Sequence, residues 1–433
     1  MDRLYSYIPS VPDASRRRAL TLTDLASVVL CYYAHAVMAM LPHTSFPRVA
    51  LLPVTLRLTW TSAVTLDVAQ YLANTLGLAR DPLRVTHLNF IWVVSVSCFG
   101  LSHINIFNDS FQLAMWTIAL KSFEWTFIID KPIRRYETPK DGEPLKERPL
   151  TVASLSLDAA ELLFNHRGLG WSWSSNPFPH NPSPPPSILR QFLGLVARVI
   201  ALDAAHYLLQ LSRPSTYRLE GDTIFDDTLT PIPRLLVASC ICLFGMVIIY
   251  TSVEIVYQVS ALFGQIVFSQ SATQWPRIAN QPWLSASVTE FWGERWHQCF
   301  RHLFIVYGSR PGREVAGWYG SIMGAYIVSA VMHVLGLWGL GRGTEFGHTG
   351  GFFIMIGAAT ILERQWKVWT GKTVTGVAGK LWTAAWQLIW GAGMVDEWAR
   401  RGMVANDFIA KEIRIGKALV DIVLTVVSRI RDT

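Results

Sequence analysis

Two histidines set the chemistry this chain can attempt. The stretch "SVTEFWGERWHQCFR", residues 287 to 301, crowds two Trp, two Glu, two Arg and His297 into an otherwise apolar sequence. Downstream, His333 stands in "SAVMHVLG", inside a charge-free run from Val315 to Gly341. Polar ring nitrogens left unpaired in hydrocarbon are costly, so a His near mid-span is a functional candidate by default. Neutral imidazole titrates near operating pH and can serve as a general base. The alternative is a core His bonded to a neighbouring helix. Ser329, one turn earlier, is placed to orient the ring or a water. No H-E-x-x-H, C-x-x-C pair or other ligand spacing occurs, so no metal is expected.

The first stretch must be positioned by a helix. Ser287-Val-Thr-Glu290 has the capping-box pattern. At about 100° per residue, Glu290, Glu294, His297 and Arg301 share one face, and Trp292, Trp296, Phe300 and Leu303 another. The spacing predicts an amphipathic helix over 285–303, interfacial or re-entrant, because it is too charged to cross lipid unaided. An interfacial anchor with belt Trp and snorkelling Arg explains much of it. His297 among acids does not suit an anchor, which has no need of a titrating group.

The elements around these motifs are apolar. Of 433 residues, 51% are hydrophobic and 16% charged, with mean hydropathy +0.28. Soluble domains carry about a quarter charged residues. Charge-free runs at Leu25–Pro47, Val85–Asn108, Leu235–Val253 and Val315–Gly341 have membrane-spanning length. Stretches with one or a few charges are Val49–Leu66, Phe111–Ile129, Ile188–Leu211, Phe346–Leu362 and Thr373–Val395. The pattern predicts an all-α, polytopic integral membrane protein with about eight or nine transmembrane helices.

A single membrane-embedded domain over 1–433 is expected. Its hydrophilic loop, 130–187, ends in the proline-rich "NPFPHNPSPPP". Its tail, 408–430, reads as an interfacial amphipathic helix. Arg16, Arg17 and Arg18 before the first run place the N-terminus in the cytosol. The net charge of +7 fits anionic lipid surfaces, not nucleic acid, since no basic stripe with interleaved aromatics appears. The five scattered Cys read as small buried hydrophobes.

Together the two motifs resemble the wax-synthase-like branch of the membrane-bound O-acyltransferase superfamily, of the fungal natural-product acetyltransferase type. That branch carries S-x-x-x-F-W-[GS]-x-R-W-[HN]-x-x-x-R, matched by Ser287, Phe291, Trp292, Gly293, Arg295, Trp296, His297 and Arg301. A lone His follows in an apolar helix, matched by His333. "NHRGLGWSW", Asn165 to Trp173, looks like the R-G-[IL]-G-W segment of fungal members. One position departs: many relatives have an acid after the apolar His, and Val334 stands here.

The resemblance implies an acyl-CoA-dependent enzyme that acylates a hydroxyl within the membrane. Acetyl-CoA or another acyl-CoA is then a co-substrate, no cofactor is bound, and a lipophilic alcohol and membrane lipid are partners. His333 would deprotonate the alcohol and His297 would orient it or polarise the thioester carbonyl. Arg295 and Arg301 would receive CoA phosphates, and Trp292 and Trp296 would wall the acceptor. The acceptor reads as a terpenoid-type secondary metabolite and the location as the endoplasmic reticulum. A long-chain wax-ester synthase is the nearer alternative; a proton-coupled transporter using His333 and Asp203 is the alternative of another class.

Three smaller patterns remain. Asp203 and His206, like Lys121 and Glu124, are spaced i, i+3 within apolar stretches and read as structural pairs or parts of a polar cavity. "GSIMG", Gly320 to Gly324, reads as a small-residue packing face. Asn108-Asp-Ser110 is a formal glycosylation sequon abutting an apolar run.

Overall fold

The computed structural model describes residues 17–67, 105–129, 131–137, 146–163, 165, 167–174, 187–218, 220–267, 270, 272–405, 409 and 413–431. Most of the expected span 85–108 and the proline-rich spacer lie outside the described residues. The described chain is nearly all-α. Arg18–Ala19 pairs in parallel with Leu66–Asp67 as its two-stranded sheet. Among the described residues, four helical segments are long and apolar enough by length and composition to cross a membrane: Leu22–Met40, Ile188–Ser212, Pro231–Ile266 and Arg301–Trp338, the last of which is broken at Ala316 and Gly317. Helices also form at Ser45–Thr65, Asn105–Phe123, Phe346–Thr370 and Gly376–Arg400. Buried polar residues such as Arg48, Lys121, Glu363 and Asp396 interrupt their apolar character. The described residues therefore do not confirm the count of eight or nine spans.

Close contacts group the chain into two compact units. One comprises Met1–Tyr71, Phe107–Ser183 and Gln298–Arg342; the other comprises Leu72–Ile106, Pro184–His297 and Gly343–Thr433.

In the first unit, Tyr32, Met40, Trp125, Ile133, Leu162 and Trp171 form a buried core. The hydrophilic loop is folded against it. Its helix Val152–Leu162 is capped reciprocally by Thr151 and Ser154. Buried Asp158 on that helix accepts from Arg135 at 2.9 Å and Arg148 at 2.8 Å. Glu161 accepts from the Trp171 indole and the Asn165 amide, both at 2.7 Å. Burial raises the Glu161 carboxyl pKa against the pull of Arg135 and these donors.

The expected span Val315–Gly341 is one arm of a helical hairpin. Ala316 and Gly317 leave the helical region, Gly317 at φ 56°, and the chain reverses there. A Cβ on Gly324 would overlap the Gly308 carbonyl, and one on Gly320 the Gly312 carbonyl. The arms thus meet backbone to backbone through two small-xxx-small faces. The Ser309 and Ser321 hydroxyls bond across the seam at 2.7 Å.

In the second unit, Leu202, Leu209, Ile241, Ile255, Val395 and Ala399 form the core between Ile188–Ser212, Pro231–Val267 and Gly376–Arg400. The tail forms a helix over Ile415–Arg431 with Leu419, Ile422, Val423, Val426, Val427 and Ile430 exposed. Asp203 holds its start, accepting from Arg414 at 2.7 Å and the Lys417 amide at 2.9 Å. His206 instead turns to the Val404 carbonyl at 3.3 Å. Asp203 and His206 therefore serve different partners.

Candidate active site

The motif does not fold as the single amphipathic helix expected over 285–303. A short α-helical turn, Val288–Glu290, opens into a π-helical turn, Phe291–Arg295. The chain then becomes extended at Trp296, with φ −74° and ψ 163°. The Trp296 amide closes the π turn on the Phe291 carbonyl, and the Asn280 amide takes the Arg295 carbonyl. With the Arg295 carbonyl turned to Asn280 and Trp296 extended, the helix ends there. A separate helix starts at Arg301. The face that grouped Glu290, Glu294, His297 and Arg301 is consequently broken.

Ser287 caps this helix as the sequence indicates, its hydroxyl accepting the Glu290 amide at 2.9 Å. Glu290 does not reach back to complete the box. Its carboxylate accepts the Ala286 amide at 2.8 Å and the Arg295 guanidinium at 2.6 Å. Partial burial opposes ionisation, yet the Ala286 amide and Arg295 outweigh it and hold the carboxyl below its ordinary range. A distant residue supplies the missing cap. Buried Glu363 accepts the Val288 amide at 2.6 Å, the Thr289 amide at 2.9 Å, the Thr289 hydroxyl at 2.5 Å and the Trp382 indole at 2.8 Å. The sequence signal for Glu363 was an acid at the end of an apolar run, which is expensive unless paired.

The structure brings Trp292, Arg295, Trp296 and His297 together in the second unit. Trp296 is buried, stacked on Phe291 at 5.4 Å, with the His297 ring 5.3 Å away. Trp292 meets Phe352 and Phe353 edge-on at 5.7 and 5.9 Å. Arg295 spends its guanidinium on Glu290 and on the Asn280 carbonyl at 3.1 Å.

His333 and Arg301 belong to the first unit. Arg301 is exposed and donates to the Gln298 side chain at 2.9 Å. His333 is half-buried on the hairpin's second arm, its Nδ1 2.8 Å from the Ser329 carbonyl. A carbonyl can only accept, so Nδ1 carries the proton there and Nε2 is the basic nitrogen. Ser329 thus orients the ring through its backbone and not its hydroxyl.

The first unit also gathers residues that sequence spacing left apart. Lys121 Nζ lies 3.0 Å from Glu124 Oε2, and His302 Nε2 lies 2.6 Å from Glu124 Oε1. Trp173, from the "RGLGW" loop, covers both: Lys121 Nζ is 3.7 Å from its ring and the His302 ring 4.5 Å. His302 directly follows the motif's last residue; that adjacency was its only signal.

Residues 275–355 match the model of the membrane bound O-acyl transferase family. Over this segment the chain is similar to that family. The segment contains the capped motif turn, the glycine hairpin and both candidate histidines. The acetyltransferase ple2 of Rhodocybe pseudopiperita is 26% identical over 247 residues, 53% of this chain and 62% of that protein. The acetyltransferase eriL of Hericium erinaceus is 24% identical over 377 residues, 79% of this chain and 92% of that protein. A long-chain-alcohol O-fatty-acyltransferase of Simmondsia chinensis is 27% identical over 122 residues, 26% of this chain and 34% of that protein. The chain thus spans under two thirds of the length of ple2 and nearly all of eriL. Over this segment the chain is thus similar to enzymes that transfer acyl groups, and it carries apolar helices of membrane-spanning length.

Proposed function

We propose that the chain acetylates a hydroxyl of a lipophilic, terpenoid-type secondary metabolite within the membrane, using acetyl-CoA. The observation that carries this reading is the His333 tautomer. With Nδ1–H held by the Ser329 carbonyl, the neutral ring carries its basic lone pair on Nε2. It would take the proton of the acceptor hydroxyl as that oxygen attacks the thioester carbonyl. The carbon–sulfur bond then breaks, and the imidazolium returns its proton to the leaving thiolate, giving the acetyl ester and CoA. No acyl-enzyme is required. His297 is assigned to donate a hydrogen bond to the thioester carbonyl oxygen as negative charge develops there. Exposed Arg301 is the better placed of the two arginines to meet CoA phosphates, since Arg295 already serves Glu290. Trp292 and Trp296 supply apolar surface to the acceptor.

The acetyltransferase relatives support an acetyl donor. The Simmondsia relative favours a second reading, fatty-acyl transfer to a long-chain alcohol. We assign the chain to the endoplasmic reticulum as one multi-pass domain of eight or nine spans. The test is His333→Ala in microsomes, with labelled acetyl-CoA and a panel of alcohols. Loss of ester with the protein still folded supports the assignment; retention of the wild-type rate removes His333 from the chemistry.

A further inference from the structure

The buried cluster of Lys121, Glu124, His302 and Trp173 lies beside hydrogen-bond donors that no other described residue answers. Lys121 and Glu124 are 1% and 2% exposed in their side chains, and His302 9%. Ionisable groups buried this deeply are weak evidence of stability and mark polar sites in membrane proteins. Around them, Ser122 Oγ, Trp125 Nε1, Trp173 Nε1 and Tyr32 Oη are buried with no hydrogen-bond partner among the described residues. Tyr32 stacks on Trp125 at 5.1 Å, and Trp173 packs against the same core. An unsatisfied buried donor carries its full desolvation cost. Two of these donors are indoles, which cannot accept, so whatever answers them must present acceptor oxygens.

The hairpin brings this cluster to the level of His333. Gly312 faces Gly320 and Gly308 faces Gly324, so four residues back on one arm match four forward on the other. The Ser309–Ser321 bond fits that register within one turn. Carried on, it sets His302 opposite about residue 330, roughly one helical turn from His333. The short helix that bears His302 packs on the arm that bears His333. Both histidines belong to the same compact unit.

We propose that this cluster is a specificity subsite that recognises a second oxygen on the acceptor alcohol, one turn from the reacting hydroxyl. Trp173 and Tyr32 are assigned to donate to that oxygen, which can accept from two donors, and the Lys121–Glu124–His302 trio keeps the subsite polar. A plain long-chain alcohol has no such oxygen and leaves the donors unanswered. Discrimination of this kind, through polar groups unpaired with the wrong substrate, is stronger than an apolar wall provides. The inference rests on the acyl-transfer reading above, and it favours an oxygen-rich acceptor over a wax alcohol.

The test uses the full chain in microsomes with acetyl-CoA. Hexadecanol competes with a hydroxy-ketone of similar size, and the ratio of kcat/KM is read for wild type, Trp173→Phe and Tyr32→Phe. Tyr32→Phe keeps the ring and removes one donor; Trp173→Phe keeps an aromatic ring of smaller size and removes one donor. The wild type should prefer the hydroxy-ketone, and either variant should reduce the preference by about tenfold. Should Trp173→Phe fail to accumulate, Tyr32→Phe carries the same test. A preference unchanged in a folded variant means that ordered water alone answers these donors, and it overturns the subsite. A wild type that turns over both alcohols equally overturns it too. Absence of CoA-dependent ester with every alcohol overturns the acyl-transfer reading, and this inference with it.

Discussion

Glu363 accepts the Val288 amide at 2.6 Å across 75 residues of sequence, so the motif turn is capped from another helix. Removing this carboxylate orphans the buried Val288 amide, the Thr289 amide and hydroxyl, and the Trp382 indole. Glu363→Ala should lower thermal stability by about 2–3 kcal/mol and abolish transfer. Glu363→Gln, which keeps one acceptor oxygen, should lose less. Thermal unfolding in detergent, with activity on the same samples, measures both. A Glu363→Ala protein with wild-type stability and rate would remove the cap from the explanation.

The glycine seam makes a steric prediction. Gly324→Ala sets a methyl against the Gly308 carbonyl and must part the hairpin arms. We expect a loss of about 1–3 kcal/mol and a marked fall in activity. Gly293→Ala, in the motif's π turn, meets no atom within 4 Å of its new Cβ. It should fold normally. Expression level and melting temperature of the pair compare the two positions directly.

His333 and His297 are assigned unequal work. His333→Ala should cut transfer by about 10²–10⁴-fold, the usual range for loss of a general base. His297→Asn, which keeps a side-chain donor, should retain more activity than His297→Ala. Single-turnover rates with labelled acetyl-CoA separate these variants. Equal rates for His297→Asn and His297→Ala would contradict a hydrogen-bond role.

Glu290 gives the motif a pH dependence. Its folded carboxyl titrates below the ordinary value of 4.5 because the Ala286 amide and Arg295 favour the anion. A depressed acid stabilises the fold above its unfolded pKa and loses that contribution as pH falls through the folded value. Tryptophan emission should therefore shift on acidification below the ordinary value of 4.5, as pH falls through the folded value. Glu290→Gln should lack this component. A variant whose titration overlays the wild type would show that Arg295 does not depend on the Glu290 charge.

The sequence alone determined what depends on composition and local spacing. Apolar length marked Leu25–Pro47, Ile188–Leu211 and Leu235–Val253, which overlap the span-length helices Leu22–Met40, Ile188–Ser212 and Pro231–Ile266, because lipid leaves a backbone few other options. Ser287 was legible as a cap, and Gly320 and Gly324 as a packing face, since each signature is local. The resemblance to O-acyl transferases lay in the motif residues themselves.

Tertiary structure decided the rest. Periodicity assumes an unbroken helix, so it could not foresee that the Asn280 amide would take the Arg295 carbonyl and end the helix at Trp296. Hydropathy sees one apolar run where Gly317 reverses the chain between two arms. Buried charge reads only as cost until its partner is known. Glu363 waits for Val288 and Thr289, Asp203 for Arg414, and Glu124 for His302, each supplied by chain more than 70 residues away. Such partners are fixed by packing of distant helices, which no local pattern records.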